Sequence, residues 1–207
     1  MLRRLAQCPK PTVARVQGGR VVSVRFRNVP AYVWGRGIDA AGVTVDVAFG
    51  GAFYATLRER VEPEELPRLI ELGRAVKRDL EASHELVHPL EPELRDVYGV
   101  IFWQHEGEQP LTQRNVTVFA DGEVDRSPCG SGTSARLALL DDAGELPRGE
   151  TLRHLSIVGS AFTGTVVGAT EDGSGVDGEE RGRLAVASGR DGDRPLSFSR
   201  RALSRRE

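Results

Sequence analysis

The stretch Val124-Asp125-Arg126-Ser127-Pro128-Cys129-Gly130-Ser131-Gly132-Thr133-Ser134-Ala135-Arg136 runs from a polar turn into a helix predicted over Ser134 to Leu140. It places a thiol at a helix N-terminus. Unpaired backbone N–H groups and the positive end of the helix dipole favour a thiolate there, below the free thiol value of ~8.5. Gly130, Ser131 and Gly132 let the backbone approach a bound group, so the same amides can cradle a carboxylate. Asp125, four residues before the thiol, can hold a cationic amine. These parts suit removal of a proton beside a carboxylate: the amides hold the acid and the developing enolate charge while the thiolate takes the α-proton. The plainer alternative is a small residue in a glycine-rich turn that caps a helix.

Upstream of this stretch, Tyr98 to Trp103 and Asn115 to Ala120 read as strands, the second entering a turn at Asp121-Gly122. Downstream, Leu155 to Val158 and Phe162 to Val167 read as two more. Between Pro63 and Ala82, Leu66, Leu69, Ile70, Gly73, Val76 and Leu80 recur at spacings of three and four, which predicts an amphipathic helix. Further out, alternation from Thr12 to Val33 around Gly18-Gly19 predicts a hairpin, and Val43 to Val47 with Phe53 to Leu57 a second strand pair. Gly50-Gly51 separates that pair, where a bend or close backbone approach is expected. This order of elements predicts an α+β fold with mainly antiparallel pairing. From Glu171 the chain turns rich in Gly, Asp and Arg, which divides it into 1–170 and a poorly ordered tail, 171–207.

With 207 residues, 39% of them hydrophobic, the chain can bury one substantial core or two small ones. A net charge of -2 gives no general attraction to nucleic acid or an anionic membrane. No apolar run approaches the ~20 residues of a membrane helix. No apolar stretch follows Arg3 and Arg4 as in a secretory leader, so a cytoplasmic protein is expected. Cys8 and Cys129 are the only cysteines and lie in unlike contexts, so they read as independent thiols, Cys8 as an incidental surface one.

The segment Asp125 to Thr133 resembles the second catalytic motif of the proline racemase family, which includes proline racemases, 4-hydroxyproline 2-epimerases and trans-3-hydroxyproline dehydratases. Val24-Arg25-Phe26-Arg27-Asn28-Val29-Pro30, Val45 to Ala55 (VDVAFGGAFYA), His88-Pro89 and Phe162-Thr163-Gly164 look like family landmarks in the expected order, covering about Thr12 to Val167. The resemblance implies a diaminopimelate epimerase-like fold, a mixed and mainly antiparallel sheet wrapped around a central helix, with one complete lobe and part of the other. It also implies that Cys129 is an acid/base group, that Asp125 binds the substrate amine, that Gly130 and Ser131 offer N–H groups to the carboxylate, and that Phe119 walls the ring. The ligand would be a small imino acid, proline or hydroxyproline, and neither cofactor nor metal is implied. The family's first motif, of Met-x-Cys-Gly-His type, has no counterpart before Asn28, so the chain is expected to be a fragment with a single base and impaired turnover.

Several alternatives stay open at this stage. Dehydration of trans-3-hydroxyproline would need only one base for its first step, and the Gly50 to Ala55 segment looks closer to dehydratase-like members. An inactive remnant or amino-acid-binding module would keep the cradle without turnover. A cysteine hydrolase would need a histidine at the thiol. His84, His88, His105 and His154 show no ligand spacing, and His88-Pro89 is expected to fix a turn. Phe53 and Tyr54 are expected to pack in the core, and Asp46 to be an exposed strand carboxylate. The tail arginines, including Arg200, Arg201, Arg205 and Arg206, read as solvated because no aromatics are interleaved for base stacking. Half of a two-lobed fold would expose apolar surface, which leaves a homodimer open.

Overall fold

The structure, a computed structural model, describes residues 12–119, 121–170 and 175–182. Ten strands form one sheet: β1 (Thr12–Gln17), β2 (Arg20–Arg27), β3 (Tyr32–Ala40), β4 (Val43–Phe49), β5 (Phe53–Arg58), β6 (Val97–Glu108), β7 (Leu111–Phe119), β8 (Thr151–Ser156), β9 (Ala161–Ala169) and β10 (Val176–Gly182). Helix α1 (Leu66–Ser83) connects β5 to β6, and α2 (Gly130–Asp142) connects β7 to β8. The spatial order is β1-β2-β10-β9-β8-β7-β6-β5-β4-β3. Only β5–β6 and β7–β8 are parallel, because only these neighbours are joined through a helix; every other pair is antiparallel.

The two helices lie on opposite faces of the sheet. Val100 and Phe102 of β6 share a core with Leu69, Val76 and Leu80 of α1, whereas Ile101 between them packs with Cys129, Ala135 and Leu139. Helix α2 is the central one: every residue from Gly132 to Leu140 is buried, and apart from Arg136 their side chains are small or apolar on all sides. It touches β3, β4 and β5 near one end of the sheet and β9 and β10 toward the other, so the sheet curls around it.

The expected α+β architecture is therefore present. The glycine-separated hairpin is β1–β2, closed at Gly18-Gly19, and β3 starts as a separate strand at Tyr32. Several boundaries differ from expectation: β6 runs on to Glu108 and β7 starts at Leu111, because the two pair with each other along that whole length. Helix α2 begins at Gly130 rather than Ser134, because Cys129 and not the glycines forms its cap. Strand β8 spans Thr151–Ser156 rather than Leu155 to Val158, drawn upstream by its backbone pairing to both β7 and β9. Strand β10 lies within the stretch whose composition suggests a tail; a strand needs partners for its backbone more than apolar side chains, and β2 and β9 provide them. Cys8, Ala120 and the arginines beyond 182 lie outside the described residues. No helix among the described residues is long and apolar enough to cross a membrane.

Candidate active site at the N-terminus of α2

The chain reaches Cys129 through a chain reversal and two successive side-chain turns. Phe119 ends β7, its amide donates to the Glu123 carbonyl, and the Asp125 amide donates back to the Thr117 carbonyl at 2.9 Å. Asp125 Oδ1 then accepts the Ser127 amide (2.8 Å), and Ser127 Oγ accepts the Cys129 amide (3.1 Å). Cys129 takes the N-cap position with φ 63°, and its carbonyl accepts the first helical bond from the Thr133 amide at 2.8 Å. Gly130, Ser131 and Gly132 precede that bond, so helix geometry gives their N–H groups no intrahelical acceptor.

Two distant pieces of sequence converge on this helix end. Asn28 Nδ2 donates to the Gly50 carbonyl (3.1 Å) and to Ser134 Oγ (2.6 Å). Gly50 lies against the helix so closely that a Cβ there would overlap the Ser131 carbonyl oxygen and the Ala135 amide. A Cβ on Gly132 would stand 3.0 Å from the Cys129 sulfur, so a glycine is what lets the helix turn pass over the thiol.

Cys129 itself is 5% exposed. Its sulfur receives the Gly132 backbone N–H and lies 3.5 Å from the Tyr54 hydroxyl, which in turn is 2.7 Å from Ser131 Oγ. Burial pushes the thiol above its ordinary range, helped by the Asp125 charge, while the Tyr54 hydroxyl, the Gly132 amide and the nearby Ser131 hydroxyl pull the other way. The expectation of a depressed thiol pKa is thus overturned: removal from water outweighs the helix-end donors.

Asp125 and Ser131 are half-buried beside the thiol, and Phe119 packs against the same small core as Cys129. Phe119 contacts Tyr98 (ring centroids 5.2 Å apart), and Tyr98 meets Tyr54 edge-on at 5.8 Å. A cavity of about 350 Å³ adjoins these rings, walled by Phe119, Tyr98, Ala52, Phe53, Asp96 and Lys77 among others; Cys129 is not in its wall.

Sequence reasoning missed three groups here. Tyr54, expected to be core packing, is fully buried yet directs its hydroxyl at the thiol. His154 is fully buried with Nδ1 2.9 Å from the Thr133 hydroxyl, which lies 2.7 Å from the Cys129 carbonyl oxygen. Arg136, one turn further along α2, is 4% exposed, with its guanidinium 4.2 Å from the Trp103 ring centroid. His88 fixes a turn as expected, Nδ1 accepting the Leu90 and Glu91 amides at 3.2 Å each. Asp46 is a strand carboxylate bound to Arg36 and the Gly37 amide. Among the described residues no three His, Cys, Asp or Glu side chains converge as a metal site.

A family model described as proline racemase matches residues 11–186. A trans-3-hydroxy-L-proline dehydratase from Bacillus cereus is 43% identical over 166 residues, 76% of this chain and 50% of the relative. A 4-hydroxyproline 2-epimerase from Ancylobacter novellus is 39% identical over 166 residues, 73% of this chain and 49% of that one. The chain thus spans about half the length of the curated relatives it matches. Among solved structures, a hydroxyproline epimerase from Agrobacterium vitis with bound trans-4-hydroxy-L-proline superposes with a TM-score of 0.76 at 33% identity, covering 83% of this chain and 52% of that one. Because the match runs through every strand from β1 to β10, and Asn28 and Gly50 of its landmarks meet at the N-terminus of α2, this chain belongs to the proline racemase family.

Proposed function

We propose that Cys129 exchanges the α-proton of a proline-type imino acid held between Asp125 and the first-turn amides of α2. The observation that carries the reading is the seat of the sulfur at the capping position of α2, with an amide donor on it and a carboxylate nearby. Gly130 and Ser131 would receive the substrate carboxylate on their N–H groups, Asp125 the ring ammonium, and Phe119 the apolar edge of the ring. In the forward step the α-C–H bond breaks, an S–H bond forms, and the electron pair moves into the enediolate that the amides stabilise. Return of the proton from the same thiol gives exchange with retention. Inversion, as in a racemase or epimerase, needs a second base on the opposite face. The hydroxyproline held by the epimerase relative supports an imino acid as ligand.

A second reading has support in the dehydratase relatives at 42–43% identity. The same α-proton removal, from trans-3-hydroxyproline, would be followed by C–O cleavage, the β-hydroxyl leaving as water with the proton carried by the thiol.

The test is proton NMR of L-proline, trans-4-hydroxy-L-proline and trans-3-hydroxy-L-proline incubated with the chain in deuterated water. The reading expects α-deuteration that is lost in Cys129→Ala, and loss of the 3-hydroxyl only if the dehydratase reading holds. Exchange that survives Cys129→Ala, or no exchange together with no calorimetric binding of pyrrole-2-carboxylate, would sink it.

A further inference from the structure

We propose that Tyr54 belongs to the proton-transfer machinery, its phenol, backed by the Ser131 hydroxyl, donating a hydrogen bond to the Cys129 thiolate. The inference deepens the assignment of Cys129 as the base, but its test needs no substrate.

Tyr54 sits on an interior strand, in register with Ala48 on one side and Gly99 on the other, and its ring is fully buried with Tyr98 packed edge-on. Its hydroxyl is therefore held rather than free to turn to water. It lies between two partners, the sulfur at 3.5 Å and Ser131 Oγ at 2.7 Å. A phenol has one proton to give. When Cys129 is a neutral thiol, its S–H can point at the phenol oxygen while the phenol donates to Ser131. When Cys129 is a thiolate, the phenol turns its proton to the sulfur and Ser131 donates to the phenol oxygen. Either way every hydroxyl keeps a partner, and the thiolate gains a second donor beside the Gly132 amide.

That donor answers the main obstacle at this site. A thiol 5% exposed has little water to stabilise its ionised form, so fixed donors must replace the lost solvation. Tyr54 is suited to the task because burial pushes its own ionisation above the ordinary phenol range, and it stays a proton donor wherever the thiol titrates. The charged and titratable groups that act on the sulfur are Tyr54 from β5 and Asp125 from the loop before α2; Tyr98 from β6 acts on Tyr54. The charge of Asp125 opposes the thiolate. No net proton leaves Tyr54 in the exchange: the α-proton moves to sulfur and the two hydroxyl hydrogen bonds reverse direction.

The experiment is the pH dependence of iodoacetamide alkylation of the full chain, read by mass spectrometry on the tryptic peptide between Arg126 and Arg136 so that Cys8 does not contribute. Tyr54→Phe keeps the ring and removes only the hydroxyl. The midpoint for Cys129 is expected to rise by about one pH unit, a roughly tenfold loss of thiolate below it, with the thermal melting transition retained. Ser131→Ala, at a half-buried position in the first turn of α2, is expected to raise it as well by a smaller amount, and it carries the test if Tyr54→Phe does not fold. A midpoint unmoved or lowered in folded Tyr54→Phe, or unmoved in Ser131→Ala where that variant is needed, overturns the proposal. The expected shift in these profiles, together with no α-proton exchange by the unsubstituted chain, would uphold the Tyr54 contact and count against the imino-acid assignment instead.

Discussion

The imidazole of His154 donates from Nδ1 to the hydroxyl of Thr133, 2.9 Å away. The direction follows from proton counting: Thr133 has one hydroxyl proton, directed at the Cys129 carbonyl oxygen at 2.7 Å, so its oxygen is left to accept. The proton is therefore on Nδ1, and because the buried Nε2 has no hydrogen-bond partner to receive a second one, the ring is neutral. A histidine on β8 thereby braces the carbonyl of the residue that caps α2.

Burial, with Arg136 nearby, holds His154 down to about 3 from its ordinary 6.5. Between those values the unfolded chain carries a proton there that the folded chain does not. Its favourable contribution is complete above pH 6.5 and is lost as pH falls toward 3, at about 1.4 kcal/mol per pH unit for one proton. His88 is lowered by burial too and acts in the same sense. Urea midpoints measured at pH 7, 6 and 5 should therefore decline. His154→Asn, which keeps an N–H donor but no titrating ring, should flatten that decline. An unchanged slope in the variant would contradict the assignment.

The close approach of Gly50 to α2 makes a second prediction. Both atoms that an added Cβ would meet, the Ser131 carbonyl oxygen and the Ala135 amide nitrogen, belong to the helix backbone and cannot rotate away. Gly50→Ala should cost about 3 kcal/mol or more, or leave the chain insoluble. Gly168→Ala is the control, since nothing lies within 4 Å of its Cβ; it should change stability by no more than about 0.5 kcal/mol. Thermal melting of both variants would decide, and similar melting points would refute the packing argument.

These two cases mark what the sequence can and cannot tell. The spacing of Leu69, Gly73, Val76 and Leu80 was enough to place α1, because one buried face leaves a periodic trace. Gly18-Gly19 marked its hairpin, and Gly50-Gly51 marked a close approach, because such backbone needs restrict the residue type. The landmarks of the family were legible as separate motifs, but not that Asn28 would tie Gly50 to Ser134. Tyr54 and His154 left no local trace: alternation puts a side chain on one face of a strand, and only the position of α2 says that this face holds a thiol or a threonine. The ionisation of Cys129 was misjudged for the same reason. A helix end can be read from sequence, whereas the burial that outweighs it comes from distant strands.

Arg136 supplies a third prediction. Its guanidinium is buried, stacked over Trp103, and bound by Gln113 Oε1 at 3.2 and 3.3 Å. Burial lowers its pKa to about 10, so it remains charged at neutral pH. Removing the acceptor alone strands a buried charge, whereas removing the charge with similar volume does not. Gln113→Leu should therefore cost about 2–3 kcal/mol, and Arg136→Met less than about 1.5 kcal/mol. Urea denaturation of the two variants gives the order, and Arg136→Met as the more damaging change would overturn it.

Asp125 has two roles that a single substitution can separate. Its Oδ1 accepts the Ser127 amide, which an asparagine oxygen can do equally well, so Asp125→Asn should keep the turn that leads into Cys129. Its charge raises the thiol pKa, so the same substitution should lower the alkylation midpoint of Cys129. If Asp125 also holds a ring ammonium, the substitution should weaken L-proline binding about tenfold or more, since a charged hydrogen bond at a half-buried site becomes a neutral one. Pyrrole-2-carboxylate, whose ring nitrogen is uncharged, should lose far less. Calorimetric titration of both ligands into wild type and Asp125→Asn gives the comparison. Equal losses for the two would mean that the carboxylate of Asp125 shapes the loop without meeting the substrate's charge.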